Sequence, residues 1–334
     1  MIFVNRTARR IARFSRSIPR SLLLVAMLLV IALDGRIRSA LGLLRSDLQG
    51  AIWIHRWCRR IVHAIGIQYT VDGDLPGRAA AAHTGFEAVV CNHLSYLDIL
   101  LMSAARPFVC VAKQEVRDWP LLGWLTSLAG TVYVQRGAPP STYPAVNAAM
   151  ARAFRSGLPV LFFPEGTTTD GSQILPFRRG LFHSVLHDRV AVQTAALRYE
   201  LAPFPNGYRP KKNGHSERSE ESPHFARTTT VCPIMRTAQS CNESEATVAD
   251  NVCWWGDALL APHLFRLLGL RGLRAAVRFG DPVEGADRFI LSQNAHAAVS
   301  TLYDSLAPAS RANTGFVLTE VDVSDQPTNL IEAQ

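Results

Sequence analysis

Five short apolar runs, each cut off by polar or Gly/Pro residues, set the tightest limit on the fold. They lie at 88–91, 108–112, 131–134, 159–163 and 190–197. Runs of about four to eight residues bounded by turn signals have the length of strands. Helical stretches separate them: one from Asp98 to about Ala105, one opening at Pro120, one over 142–156 and one after Gly180. The segment 66–71 adds a first strand, 274–280 a last one and 286–307 a closing helix. Strands and helices taking turns make an α/β fold, read here as a mixed central sheet flanked by helices. The alternation runs from about 60 to 200 without a linker, so the 334 residues hold one large domain with attachments. An apolar content of 48% is enough for a sizeable core.

The run at 88–91 passes directly into Asn92-His93-Leu94-Ser95-Tyr96-Leu97-Asp98. An imidazole and a carboxylate at a strand-to-helix junction can face one cleft. The carboxylate accepts the proton of one ring nitrogen and fixes the tautomer, and the other nitrogen is free to take a proton from a substrate hydroxyl. The plain alternative makes Asn92 a helix cap, His93 a surface histidine and Asp98 a first-turn residue near the helix dipole. Further on, 162–171 (FFPEGTTTDG) turns off the end of another strand. Gly166 there lets backbone N–H groups come close to an anionic ligand. Glu165 would repel a phosphate, so it is read as a partner of acceptor hydroxyls or of Arg136; a plain turn with a solvated glutamate is the alternative. Between the two stretches, Tyr133-Val134-Gln135-Arg136-Gly137 carries an arginine to a loop, either as a guanidinium fork for phosphate or as a surface residue.

Taken in this order, the three motifs resemble those of the glycerolipid acyltransferase family, specifically the bacterial 1-acylglycerol-3-phosphate acyltransferases and their lysophospholipid relatives. The likeness covers roughly 50–200 and resumes near 253–285. It implies that His93 is the general base and Asp98 its orienting carboxylate. Arg136 with Glu165, Gly166 and Thr167 would bind the acceptor. Lys113…Glu115…Pro120…Gly123 is a further pattern of the family, and Arg178 stands where its Pro-Phe-Lys-x-Gly segment has lysine. Thr194 replaces a proline common in the fourth motif. The implied reaction moves an acyl chain to the sn-2 hydroxyl of 1-acylglycerol-3-phosphate. Acyl-CoA or acyl carrier protein is the donor, and neither a cofactor nor a metal is called for. Lyso-ornithine lipid is the rival acceptor, and an inactive lipid-binding protein the rival from another class. His183 and His187 have metal-ligand spacing but lack a third ligand.

The net charge of +8 and a pI near 9.5 suit an anionic partner: a membrane surface, a phosphorylated substrate or nucleic acid. The chain has no recognisable nucleic-acid-binding motif, which disfavours the last. Six scattered cysteines without a Cys-x-x-Cys read as reduced, mostly buried thiols.

Residues 1–66 are read as a basic membrane anchor with amphipathic helices. Arg6, Arg9, Arg10, Arg13, Arg16 and Arg20 precede the apolar run 21–33. Thirteen helical residues rise only about 20 Å against a hydrocarbon core of about 30 Å, so a simple span is disfavoured. A short or re-entrant anchor, an interfacial helix and a cleaved signal peptide are the readings left, the last disfavoured by Arg36 and Arg38. An amphipathic helix follows over 39–66. The acyltransferase domain is placed at 67–307, with 201–250 as a disordered insertion whose composition resembles a translated palindromic bacterial repeat; a regulatory loop is the alternative. Residues 308–334 form a polar tail. Together with the resemblance to bacterial enzymes, these features imply a bacterial inner membrane with the site on the cytoplasmic face.

Overall fold

The computed structural model describes residues 2–73, 87–135, 143–201 and 247–306. Among these residues seven strands form one sheet in the order β1-β7-β6-β2-β5-β3-β4. They are β1 (Gln68–Asp72), β2 (Glu87–Cys91), β3 (Val109–Lys113), β4 (Val132–Val134), β5 (Val160–Phe162), β6 (Ala191–Leu201) and β7 (Leu273–Val283). Neighbours run parallel except β6 and β7, so β7 and β1 point opposite to the other five. The sheet is therefore mixed, as read from the sequence. Strand β2 is buried along its whole length, which explains its unbroken apolar run.

Alternate residues of the central strands feed two cores. Val89 and Cys91 of β2 face a cluster built with α2 (Asp47–Ala64), α3 (Leu97–Ala105) and α8 (Leu260–Leu268). Ala88 and Val90 face the other, with α5 (Tyr143–Arg155), α6 (Gly180–His187) and α9 (Arg288–Ser305). Leu97, Leu101 and Met102 of α3 are at most 2% exposed. Each contributes about 1.5–3 kcal/mol through burial, which fixes the helix that carries Asp98. Strand β2 leads on through α3 towards β3, whereas its neighbour β5 leads through α6 towards β6 on the other side. Adjacent strands leaving in opposite directions open a crevice at their carboxyl ends, where α/β sheets place ligands.

The amino-terminal region departs from expectation in three ways. First, α1 (Ile2–Ala40) is one continuous helix of 39 residues, so the apolar run at 21–33 is only its middle. Its stretch Ile11–Ala40 is, by length and composition alone, long and apolar enough to cross a membrane, at about 45 Å of rise. Second, the helix read over 39–66 is broken. Gly42 adopts φ +70°, and Ser46 with Gln49 forms a capping box that starts α2 at Asp47. Third, Ile31 of α1 and Trp53, Ile61 and Val62 of α2 join the apolar core on one face of the sheet. Arg16 and Arg20 donate to the carbonyls of Gly269, Leu268 and Leu270, capping the end of α8 that lacks helical partners. The other face of α1 leaves Phe14, Leu22, Leu29, Leu33 and Ile37 exposed. The expected insertion at 201–250 lies outside the described residues apart from its ends, as does the tail at 308–334; α7 (Val248–Asn251) already belongs to the folded domain.

Candidate active site

Strand β2 ends at Cys91, and the chain then turns sharply into α3. Asn92 makes that turn possible. Its side-chain amide donates to the carbonyl of Leu197 at 2.9 Å and accepts from the N–H of the same residue at 2.8 Å. The side chain thus continues the β2–β6 ladder after the main chain has left it. It does not cap the helix, as the plain alternative had supposed.

His93 and Asp98 meet. The imidazole Nδ1 lies 2.7 Å from Asp98 Oδ2, which leaves Nε2 on the outer side of the ring. Asp98 is fully buried, yet its carboxylate also accepts from the N–H groups of Leu94 at 2.6 Å and Ser95 at 2.9 Å, and from the Tyr199 hydroxyl at 2.7 Å. Four donors are what a buried carboxylate requires. With Asp98 accepting at Nδ1, the neutral imidazole carries its proton there and presents the Nε2 lone pair outward. Phe163 stacks on the ring with centroids 4.2 Å apart, fixing its plane. The His93 main chain is held on both sides: its carbonyl accepts from the Thr169 N–H at 3.0 Å, and its N–H donates to Glu165 Oε1 at 2.7 Å.

Glu165 is only 3% exposed, and its second oxygen accepts from the Leu175 N–H at 2.8 Å. Its carboxylate ties the turn after β2 to the turn after β5. Both oxygens thus take main-chain donors, where the sequence reading had offered acceptor hydroxyls or Arg136 as partners; Arg136 lies outside the described residues. Burial pushes its carboxyl up to about 7, the two N–H donors oppose the shift, and the charge of Asp98 adds to it. The folded chain therefore holds a proton that the unfolded chain releases between about pH 4.5 and 7, and stability falls as pH rises through that window. The change is of order 3 kcal/mol. Thermal midpoints in detergent across this range should fall for the wild type relative to Glu165→Gln; a constant gap between the two would refute the assignment.

Gly166 sits at φ +71°, and a Cβ there would lie 2.6 Å from Arg178 Nε. Only glycine lets Arg178 lie across the turn, where its Nε donates to the Glu165 carbonyl at 3.3 Å. Arg178 and Thr167 are exposed at this turn, and Lys113 is exposed at the end of β3. Since β2, β5, β3 and β4 are parallel, all four deliver their carboxyl ends to one edge of the sheet. His93, Glu165 and Lys113 follow or close three of them. Arg136, two residues past β4, lies outside the described residues. His183 and His187 are exposed on α6, His187 beside Asp188 at 3.1 Å. Among the described residues no group of three or more candidate ligands gathers for a metal. Thr194 is buried in the sheet and donates to the Asp281 carbonyl at 3.2 Å, beside an irregularity in the β6–β7 pairing.

Tyr199 is the residue that sequence reasoning passed over; Phe163 was read as part of its motif, without the stacking role it has on His93. Tyr199 lies in β6, about a hundred positions from Asp98, and is one more apolar-patterned strand residue until the register brings it beside β2. Burial and then the Asp98 charge raise its hydroxyl well above the usual tyrosine range, so it stays a donor. Cys58, Cys91 and Cys253 are buried free thiols, as expected, and burial pushes Cys58 and Cys253 up to about 12.

The sequence profile named Acyltransferase matches residues 83–198, the span that holds both turns. A lyso-ornithine lipid O-acyltransferase of Rhodobacter capsulatus is 34% identical over 219 residues, 62% of this chain and 74% of that one. A 1-acyl-sn-glycerol-3-phosphate acyltransferase of Neisseria gonorrhoeae is 41% identical over 123 residues, 37% of this chain and 48% of that one. The crystal structure of PlsC, the 1-acyl-sn-glycerophosphate acyltransferase of Thermotoga maritima, superimposes with a TM-score of 0.58 at 14% identity, covering 91% of this chain and 100% of that one. That likeness shows a shared fold. With the Rhodobacter capsulatus relative 34% identical and covered over 74% of its length, the chain belongs to the acyltransferase family.

Proposed function

We propose that the protein transfers a fatty acyl chain from a thioester donor to the hydroxyl of a lyso-ornithine lipid. The observation that carries the choice of acceptor is the extent of alignment. Proteins named lyso-ornithine lipid O-acyltransferase align with 62–71% of this chain in Rhodobacter capsulatus, Rhizobium meliloti and Brucella abortus. The second reading is 1-acylglycerol-3-phosphate, acylated at the sn-2 hydroxyl to give phosphatidic acid. It is favoured by the higher identity, 41%, over a shorter span.

The chemistry is the same for either acceptor. His93 Nε2 takes the hydroxyl proton as the oxygen attacks the thioester carbonyl carbon, and a C–O bond forms. The tetrahedral intermediate collapses, the C–S bond breaks, and the thiolate leaves with the proton from the imidazolium. Asp98 holds the imidazolium during its lifetime, so the enzyme itself needs no nucleophile. Lys113, Arg178 and Thr167, at the ends of the parallel strands, bind the acceptor's headgroup, and the sequence motif assigns Arg136 to the same task. Acyl-CoA or acyl carrier protein supplies the acyl group. The apolar face of α1 keeps the site at the surface of a bacterial inner membrane, on its cytoplasmic side, where acyl donors are available.

The test is acceptor competition in mixed micelles with labelled acyl-CoA or acyl carrier protein. Lyso-ornithine lipid is expected to exceed 1-acylglycerol-3-phosphate by at least about tenfold in kcat/KM, a difference of more than about 1 kcal/mol in transition-state binding. The reverse preference would establish the second reading, and no product from either would refute both.

A further inference from the structure

A pocket lies well along the chain from the catalytic turns, between the carboxyl-terminal end of α1 and the amino-terminal half of α2. It has a cavity of about 200 Å³ lined only by residues between Asp34 and Arg60. None of them belongs to the edge of the sheet that carries His93. Arg38, Arg56 and Arg60 converge on it, with Trp53, Trp57 and Asp34 behind.

Asp34 does not cancel the arginines. Its Oδ2 accepts from both indole N–H groups, at 2.7 Å from Trp53 and 2.9 Å from Trp57, and its Oδ1 accepts from Arg38 Nε at 2.8 Å. The carboxylate is thereby used as a bracket. It locks two tryptophans as a wall and orients the Arg38 guanidinium, whose outer nitrogens lie beyond the bond. The Arg60 guanidinium rests on the Trp57 ring, 4.8 Å from its centroid. Among the described residues neither Arg56 nor Arg60 has a carboxylate partner within ion-pair distance. Three guanidiniums against one carboxylate leave the lining at a charge of +2. Forked, pre-positioned guanidiniums match the oxygens of a phosphate.

The stretch of chain that carries Asp34 and Arg38 indicates what the phosphate is attached to. Leu29, Val30, Leu33 and Ile37 of α1 and Leu41 and Leu43 just beyond it are 49–66% exposed. An apolar stripe of this kind beside a cationic pocket suits a molecule with an anionic head and hydrocarbon tails. The cavity is smaller than the roughly 300–1,000 Å³ of sites that enclose a whole small molecule, so the head enters and the tails lie outside along α1.

We propose that the α1–α2 pocket formed by Arg38, Arg56 and Arg60 on the Asp34–Trp53–Trp57 bracket binds the headgroup of an anionic phospholipid of the bilayer, separately from the lysolipid that is acylated. This site is independent of which acceptor the enzyme uses.

The test is native mass spectrometry of the full chain in a non-ionic detergent, with phosphatidylglycerol or phosphatidylcholine added. Both probes carry a phosphodiester, but only the first is net anionic. The wild type should retain one phosphatidylglycerol at least about tenfold more tightly than phosphatidylcholine, as charge-assisted contacts to a desolvated phosphate allow. Arg56→Gln with Arg60→Gln should abolish that preference. Both side chains are exposed, so the fold should tolerate the change, and an unchanged thermal midpoint checks it. Arg38 is left intact because it is part of the bracket. The control, Arg36→Gln with Arg59→Gln, removes the same charge from α1 and α2 outside the pocket and should keep the lipid. Equal retention of the two lipids, or equal loss in both double variants, would overturn the proposal in favour of general surface charge. Displacement of phosphatidylglycerol by an equal concentration of inorganic phosphate would also overturn it, leaving an ion site that does not read the lipid.

Discussion

His93→Ala is expected to lower kcat/KM for acyl transfer by about 10²–10⁴-fold while leaving the fold intact. Nδ1 lies 2.7 Å from Asp98, so Nε2 faces outward, and the substitution removes the group that accepts the hydroxyl proton. The side chain is 16% exposed, and its main-chain bonds to Glu165 and Thr169 survive in alanine. The loss should appear in kcat rather than in KM, because the imidazole acts on a proton that moves only in the transition state. Acyl transfer in micelles, with wild type and variant matched by thermal midpoint, measures it. A decrease below about tenfold would mean that the hydroxyl is deprotonated elsewhere, and the assignment of His93 as base would fail.

How far the site could be read from the sequence depends on how far its parts lie apart in the chain. His93 and Asp98 are separated by one turn of structure, and their pairing follows from local geometry. Glu165 was legible as part of the site because its turn stands out, but its orientation was not. That depends on β2 and β5 being neighbours, which brings the N–H groups of His93 and Leu175 to the two sides of one carboxylate. Tyr199 was illegible for the same reason at greater distance: only the β2–β6 register places its hydroxyl on Asp98. The strand runs and most helices followed from apolar patterning, and the mixed sheet with them. The break at Gly42–Ser46 carried a readable signal, Ser46 followed three residues later by Gln49, that the longer apolar periodicity obscured. The packing of α1 on α8 was hidden because arginines that look like membrane-flanking charge donate to helix-end carbonyls.

Asp98→Ala should be costly twice over, and the two costs can be separated. The substitution strands four donors in a fully buried place: His93 Nδ1, the N–H groups of Leu94 and Ser95, and the Tyr199 hydroxyl. Unsatisfied buried donors cost about 1–3 kcal/mol each, and regaining the desolvation of the carboxylate offsets part of the sum. A net loss of about 3–5 kcal/mol is a large share of the stability of a domain, and it should appear as a fall of several degrees in thermal midpoint. Tyr199→Phe removes one donor together with its bond and should cost only about 1 kcal/mol. On activity the prediction is non-additive. If Asp98 acts through His93, the double variant His93→Ala, Asp98→Ala should be no slower, per folded molecule, than His93→Ala alone. A double variant slower by a further tenfold or more would mean that Asp98 touches the reacting groups itself. Where Asp98→Ala is too unstable to assay, Asp98→Asn answers the same question: it keeps the volume but turns an amide N–H₂ towards the donors, which disorders the histidine tautomer. Burying this carboxylate under four donors, one of them from a distant strand, gives the ring a single orientation before substrate arrives, and the two variants weigh how much of the rate comes from that orientation.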